Sequence, residues 1–278
     1  MNTTVARFNI VGISLIIAAL MLANVGYAQH RLLRNAVAMW IFEERVDGAF
    51  ADISGNGHDA VLVNSPRLEK GKFGNGVQFS EARKSYLEVA DSEALQFTDL
   101  ISITAWVKRP LRENARDTAP YFILEKGGEW QHDRPTYGIS LHKIFSNMFY
   151  FWYQGGFQGV TGLRDDDWHH YAAVAKDGDR DAALYIDGEL KPIEHTDGSR
   201  SVQLLPSPGR ALHMGALIPE RFDSYSDNLI DDVAIFNKAL TQDDVTRLLL
   251  GLEAGILSVS PSGKLATTWA AIKQKSAR

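Results

Sequence analysis

The chain is 278 residues long, carries 29 basic against 34 acidic side chains for a formal charge of −5, and contains no cysteine. No basic block runs anywhere that could track a phosphate backbone, which argues against nucleic acid as a partner. Without cysteine the fold has no disulfide and must rest on its apolar core.

The first residues read as a secretory signal peptide. Arg7 is the only charge, an apolar run extends from Ile10 to Leu22, and the small residues Gly26 and Ala28 precede Gln29, which places cleavage after Ala28. The run is shorter than the roughly 20 residues of a spanning helix, so residues 1–28 are expected to be removed and no membrane span to remain. The expected location is outside the inner membrane: extracellular, periplasmic or on the cell surface. The mature chain loses Arg7 and no acid, moving the formal charge from −5 to −6. Its length suits one domain, expected over 35–251, with 252–278 as a C-terminal tail.

Asn35 to Phe42 is apolar on both faces, as a central strand requires. Asp52 to Asp59, DISGNGHD, is a tight loop in which glycine and asparagine permit positive φ. Lys70 to Gly76 is a second glycine-rich turn leading into Val77–Phe79, and Tyr86–Val89 alternates. Leu100–Lys108 alternates most cleanly, with Ile101, Ile103, Ala105 and Val107 on one face and Ser102, Thr104, Trp106 and Lys108 on the other. Arg109–Pro120 reads as a surface loop, followed by strands over Tyr121–Glu125, Tyr137–Leu141 and Met148–Tyr153. From Asp167 to Leu190 two strands and two turns form a meander, with Asp187-Gly188 as a type I′ turn. After a long loop over Asp197–Arg210, strands resume at Ala211–Met214 and Leu229–Phe236. One helix is expected, Thr241–Gly251, with Thr241 and Asp244 as a capping box.

About a dozen short strands, Asp-Gly turns at Asp47, Asp177, Asp187 and Asp197, and a single late helix predict an all-β fold. The expected architecture is an antiparallel two-sheet β-sandwich of the jelly-roll type. The alternating helices of a parallel α/β fold are missing.

Eight segments then line up with a known pattern: AMWIFEE, DISGNGHDA, GKFGNGVQF, SYLEV, ISITAWVK, WHHYAAVAKDG, ALYIDGE and LIDDVAIFNKALTQDDVTRLL. With these marks the chain resembles the laminin-G-like (LamG), concanavalin A-like lectin/glucanase jelly-roll modules of secreted bacterial proteins, from Ala38 to Leu250. Arg109–Pro120 and the tail beyond Leu252 have no counterpart in it. The resemblance implies two twisted sheets, one concave, and a structural calcium ion near a sheet edge. Calcium prefers six to eight oxygens. The expected ligands are Asp52 and Asp231 by side chain, with Asn56 and His58 contributing backbone carbonyls. Asp231 is expected to share a face with Leu229, Val233 and Ile235, where an acid needs a partner. The competing reading makes Asp52 a turn cap and Asp231 a carboxylate bonded to backbone amides.

Asp165-Asp166-Asp167-Trp168-His169-His170 mixes carboxylates and imidazoles, but adjacent histidines on a strand point to opposite faces and cannot chelate one ion. The triplet reads as a solvated turn and Trp168 as a core residue. The resemblance also brings in glycoside hydrolases, whose laminarinase type carries alternating acids on one strand. No such strand occurs here, nor a Gly-x-Ser-x-Gly elbow, a Walker loop or a dinucleotide fingerprint, so no catalytic residue is expected. Aromatic faces stack on sugar rings, which makes Trp130, Trp152, Tyr153, Phe157, Phe222 and Tyr225 the binding candidates, with a core role favoured for Trp152. The expected function is a secreted non-catalytic module recognising carbohydrate or an extracellular glycoprotein. Its rivals are a glycoside hydrolase with divergent carboxylates and a protein-interaction module.

Overall fold

The computed structural model describes residues 32–110, 121–127, 136–142, 148–163, 165–198, 201–218 and 224–257. The leader, Trp130, Phe222 and the tail from residue 258 lie outside the described residues. A helical turn over 32–35 opens into β1 (Ala36–Trp40), β2 (Ala49–Phe50), β3 (Ala60–Val63), β4 (Arg67–Lys70), β5 (Asn75–Gln78) and β6 (Tyr86–Val89). Next come β7 (Leu100–Lys108), β8 (Tyr121–Lys126), β9 (Tyr137–His142), β10 (Met148–Tyr153), β11 (Gly156–Thr161) and β12 (Trp168–Lys176). The chain continues through β13 (Ala183–Ile186), β14 (Glu189–Lys191), β15 (His195–Gly198), β16 (Leu212–Met214), β17 (Ala216–Leu217), β18 (Ser224–Tyr225) and β19 (Leu229–Phe236). The helix α1 (Gln242–Leu248) and a π-helical turn over Glu253–Leu257 close it.

Every strand pairing is antiparallel, and the strands form two large sheets. One has eight strands in the order β14-β13-β12-β7-β19-β5-β4, with β1 also on β19; the other has nine, β15-β11-β10-β9-β8-β16-β6-β3-β2. The expected β-sandwich is present. Its core is the inward set of both sheets, with Ile101, Ile103, Ala105 and Val107 from β7 facing Leu124, Ile139, Phe149, Phe151 and Tyr153. Alternation puts the residues between them on the outer faces.

The hairpin signals act as their chemistry requires. Asp187 and Gly188 take φ of 51° and 81° and fold β13 onto β14, and Asp47-Gly48 does the same with 51° and 81°. Asp197-Gly198 differs: it lies in the edge strand β15, paired to β11. The capping box at α1 is complete, Thr241 Oγ1 accepting from the Asp244 amide and Asp244 Oδ2 from the Thr241 amide. The helix covers the outer face of the eight-stranded sheet, where Val245 and Leu248 bury against Met39, Tyr185 and Phe236. Leu252 and Ile256, at the start of the expected tail, join that cluster.

Candidate functional site

The four expected calcium ligands separate into two environments. Asp52 is buried and its carboxylate is filled by backbone donors: Oδ1 accepts from the Met39 and Ser54 amides, both at 2.9 Å, and Oδ2 from the His58 amide at 3.1 Å. The Asn56 side chain and the His58 carbonyl both bond to β1. Asn56 Nδ2 donates to the Ala36 and Val37 carbonyls, and the His58 carbonyl accepts the Trp40 indole N–H at 2.9 Å. His58 Nδ1 lies 3.4 Å from Asp52 Oδ2 and 3.1 Å from the Val37 carbonyl, and its Nε2 pairs with Ser92 Oγ at 2.8 Å. These bonds clamp the loop to β1.

Asp231 stands at a junction within the eight-stranded sheet that also holds β1. The two halves of β19 share one edge between two partners, Val233–Phe236 with β1 and Leu229–Ile230 with β5, and the register on β7 shifts between Asp231 and Ala234. Asp232 takes φ 48° at this bulge. The expectation that Asp231 shares a face with Val233 and Ile235 is therefore corrected. The extra residue reverses the alternation, so Val233 and Ile235 point into the core while Asp231 faces outward opposite Trp106. Its Oδ1 accepts from the Asp232 amide and Oδ2 from the Phe73 amide, and Asp232 Oδ2 accepts from the Leu252 amide. Gly71 is required beside it, because a Cβ there would come 2.6 Å from Asp231 Oδ2. Burial, and the like charges of Asp232 and Glu43, push Asp231 up to about 8, while burial and Glu43 push Asp232 up to about 7. Neither has an ion-pair partner among the described residues, and no three acidic or imidazole side chains there converge as a metal set. A cation here would draw two carboxylates from the protein and its remaining oxygens from carbonyls and water.

The sugar-binding candidates also divide. Tyr153 is corrected: it is fully buried between the sheets, on the inward face of β10. Phe157 faces outward, half-buried, stacked on His195 with centroids 5.5 Å apart and 4.6 Å from the Trp152 ring. Trp152 is 3 % exposed and donates its indole N–H to Ser140 Oγ at 2.7 Å, a packed role on the outer face. Tyr225 is half-buried, 6.2 Å from the Tyr86 ring, with Lys84 Nζ 5.5 Å from its own centroid.

A row of paired residues connects these positions across the nine-stranded sheet. Asp197 pairs with Phe157, Phe157 with Trp152, Trp152 with Gly138, Gly138 with Glu125, Glu125 with His213, and His213 with Glu88. From Phe157 to Glu88 it crosses five strand spacings, roughly 24 Å. Its polar end was not foreseen. Glu125 Oε1 bonds His213 Nδ1 at 2.7 Å, and Glu88 Oε2 lies 3.6 Å from His213 Nε2. Burial pushes the Glu125 carboxyl up against the opposing His213 bond and the Ile218 backbone bond. Tyr86 stands edge-on to His213 at 5.5 Å, so an aromatic shelf of Tyr86 and Tyr225 flanks the carboxylate-imidazole row. Glu125, His213 and Glu88 sit on three separate strands, and only the pairing register brings them together.

Comparison with known proteins fixes the family. The model of the concanavalin A-like lectin/glucanases superfamily matches residues 81–246, more than half of the chain. The chain belongs to this superfamily. No curated protein matches it by sequence. Among solved structures, domain 4 of AbnA, a GH43 extracellular arabinanase from Geobacillus stearothermophilus, in complex with arabinotriose, aligns with TM-score 0.55 and 20% identity over 77% of this chain and 98% of that one. Trypanosoma rangeli sialidase aligns with TM-score 0.57 and 16% identity, and the binding domain of Paraclostridial Mosquitocidal Protein 1 with 0.56 and 16%, each over 78% of this chain. The chain spans only 32% of the sialidase and 52% of the mosquitocidal binding domain. At these identities the likeness is one of fold.

Proposed function

We propose that the chain is a non-catalytic module that binds carbohydrate, free or on an extracellular glycoprotein, on the outer face of its nine-stranded sheet. The observation that carries this reading is the Glu125-His213-Glu88 row beside the Tyr86-Tyr225 shelf. A sugar ring presents an apolar C–H face and a rim of hydroxyls, and this patch offers an aromatic surface next to carboxylate and imidazole acceptors. The arabinanase domain seen with arabinotriose supports the ligand class. The leader reading makes the module an exported one.

Two acids on one outer face are also what a divergent glycoside hydrolase would need. A hydrolase, however, keeps the space between its carboxylates for the glycosidic bond. Here the His213 imidazole stands between Glu125 and Glu88 and bonds the former, which supports binding over hydrolysis. A structural calcium ion belongs to the same reading, at Asp231 and Asp232, where it would neutralise two buried carboxylates.

Retention of the mature chain on neutral polysaccharides, with released reducing sugar read in parallel, tests the reading. Tyr225→Ala is expected to weaken retention about tenfold, with Glu88→Gln weaker by a smaller factor. Release of reducing sugar that Glu125→Gln abolishes would replace this reading with the hydrolase.

A further inference from the structure

We propose that a cleft on the opposite side of the domain, on the outer face of the eight-stranded sheet, is a second carbohydrate site shaped for a single neutral sugar ring. The ligand class rests on the reading above, but none of that site's residues take part.

The cleft has a volume of about 530 Å³ and is lined by Lys72, Trp106, Asp167, Trp168, Asp187 and Leu249, with His169 beside them. That size suits a small ligand. The turn between β4 and β5, the start of β12, the β13-β14 hairpin and the residue after α1 border it, and it opens to solvent. Trp106 lines it on β7, 6 % exposed, and its indole N–H is buried without a hydrogen-bond partner. Beside it on β12, His170 is buried with its Nδ1 also unpartnered, the rings 5.4 Å apart. Trp168, expected to be a core residue, is instead half-buried and forms a second indole wall.

The polar complement selects a neutral ligand. Lys72 holds its ammonium 4.3 Å from the Trp106 ring centroid and supplies the cleft's donor. The acceptors are carboxylates: Asp167 is exposed, and Asp187 is bonded by His169 Nδ1 at 2.7 Å and by the His170 amide. An anion would meet Asp167 and Asp187. A cation would compete with Lys72, which is tethered beside the ring at high effective concentration. Hydroxyl groups, each a donor and an acceptor, match both sets while the ring's C–H face lies on indole.

Isothermal titration of the mature chain with arabinotriose and with neutral xylo- and cello-oligosaccharides decides the matter, read together with tryptophan fluorescence. The expected result is two sugars per chain, falling to one in Trp168→Ala and, separately, to one in Tyr225→Ala. Trp168→Phe should restore the second sugar, and Lys72→Ser, a change at an exposed side chain, should weaken only the cleft by about tenfold. One sugar per chain, lost in Tyr225→Ala and untouched by Trp168→Ala and Lys72→Ser, overturns the second site and leaves the first. Binding lost only in the Trp168 and Lys72 variants supports the cleft and removes the first site. No binding of any of these sugars overturns both.

Discussion

Asp52 and Asp231 are both buried aspartates, one on each side of the sandwich's opening strand, yet they solve burial in opposite ways. Three amide N–H groups from one loop and β1 converge on Asp52, with His58 Nδ1 3.4 Å from its Oδ2. Asp231 receives two amides but also faces the like charges of Asp232 and Glu43. A buried carboxylate surrounded by donors is a structural clamp, whereas one surrounded by acids needs a proton or a cation. The same residue type, at similar burial, therefore reads as architecture in one place and as a candidate ion anchor in the other.

The sharpest way to break the comparison is Asp52→Ala. It leaves three amides without their acceptor and is expected to cost about 3 to 5 kcal/mol in chemical denaturation, with or without calcium. A loss below about 1 kcal/mol would show that water replaces the carboxylate and that the clamp is not one.

Asp231 should behave the other way. In EDTA its raised value means that the folded state holds the proton more tightly than the unfolded chain. The group adds nothing below about pH 4, and stability falls as pH rises from there through about 8. Asp231→Asn should then stabilise the metal-free chain at pH 8.5 by on the order of 3 kcal/mol and have little effect at pH 4. With calcium present the sign reverses: chelation lowers the melting temperature of the wild type, and Asp231→Ala abolishes that shift. An unchanged wild-type melting curve on adding EDTA removes calcium from this site.

A smaller effect is expected where a carboxylate serves a helix end. Thr241→Ala removes one half of the box it forms with Asp244 and should cost about 1 kcal/mol. The smallest belongs to His169, held between Asp165 and Asp187 at 2.7 Å on each side. Burial lowers its value, but the two carboxylates outweigh this and the net shift is upward. Its contribution is therefore fully present below pH 6.5 and lost as pH rises through the raised value. Solvent screens the partners, so His169→Ala should cost under about 1 kcal/mol at pH 6 and nothing measurable at pH 9. Equal losses at both pH values would mean that packing, not charge, is what His169 supplies.

The sandwich was legible because its signals are local. Alternation along Leu100–Lys108, positive φ at Asp187-Gly188 and the Thr241-Asp244 box are each set within a few residues. The functional faces depend on pairing between strands far apart in sequence. Glu125, His213 and Glu88 look unrelated in the chain, and only the order β8-β16-β6 places them side by side. Short edge strands such as β2 and β15 also went unseen, having too few residues to show a period. The bulge at Asp232 explains the misplaced face of Asp231, since one extra residue inverts every alternation argument beyond it. Tyr153 failed for a related reason: in the aromatic run Phe149–Tyr153 composition gives no hint which parity faces the core.

The position of β19 has a consequence for how the domain comes into being. It lies in the middle of the eight-stranded sheet, with β7 on one edge and β1 and β5 sharing the other. Strands made near the start of the chain therefore wait for residues 229–236 before their hydrogen bonds can close. Contacts of such long sequence separation slow folding, and a chain truncated before residue 229 would not be a smaller domain. It would leave the β14-to-β7 segment separated from an unpaired β1 and a loose β4-β5 hairpin, each with an open edge ready to join another molecule. Completion of this sheet is thus a late, all-or-none event in the life of the polypeptide, and aggregation is the hazard that precedes it.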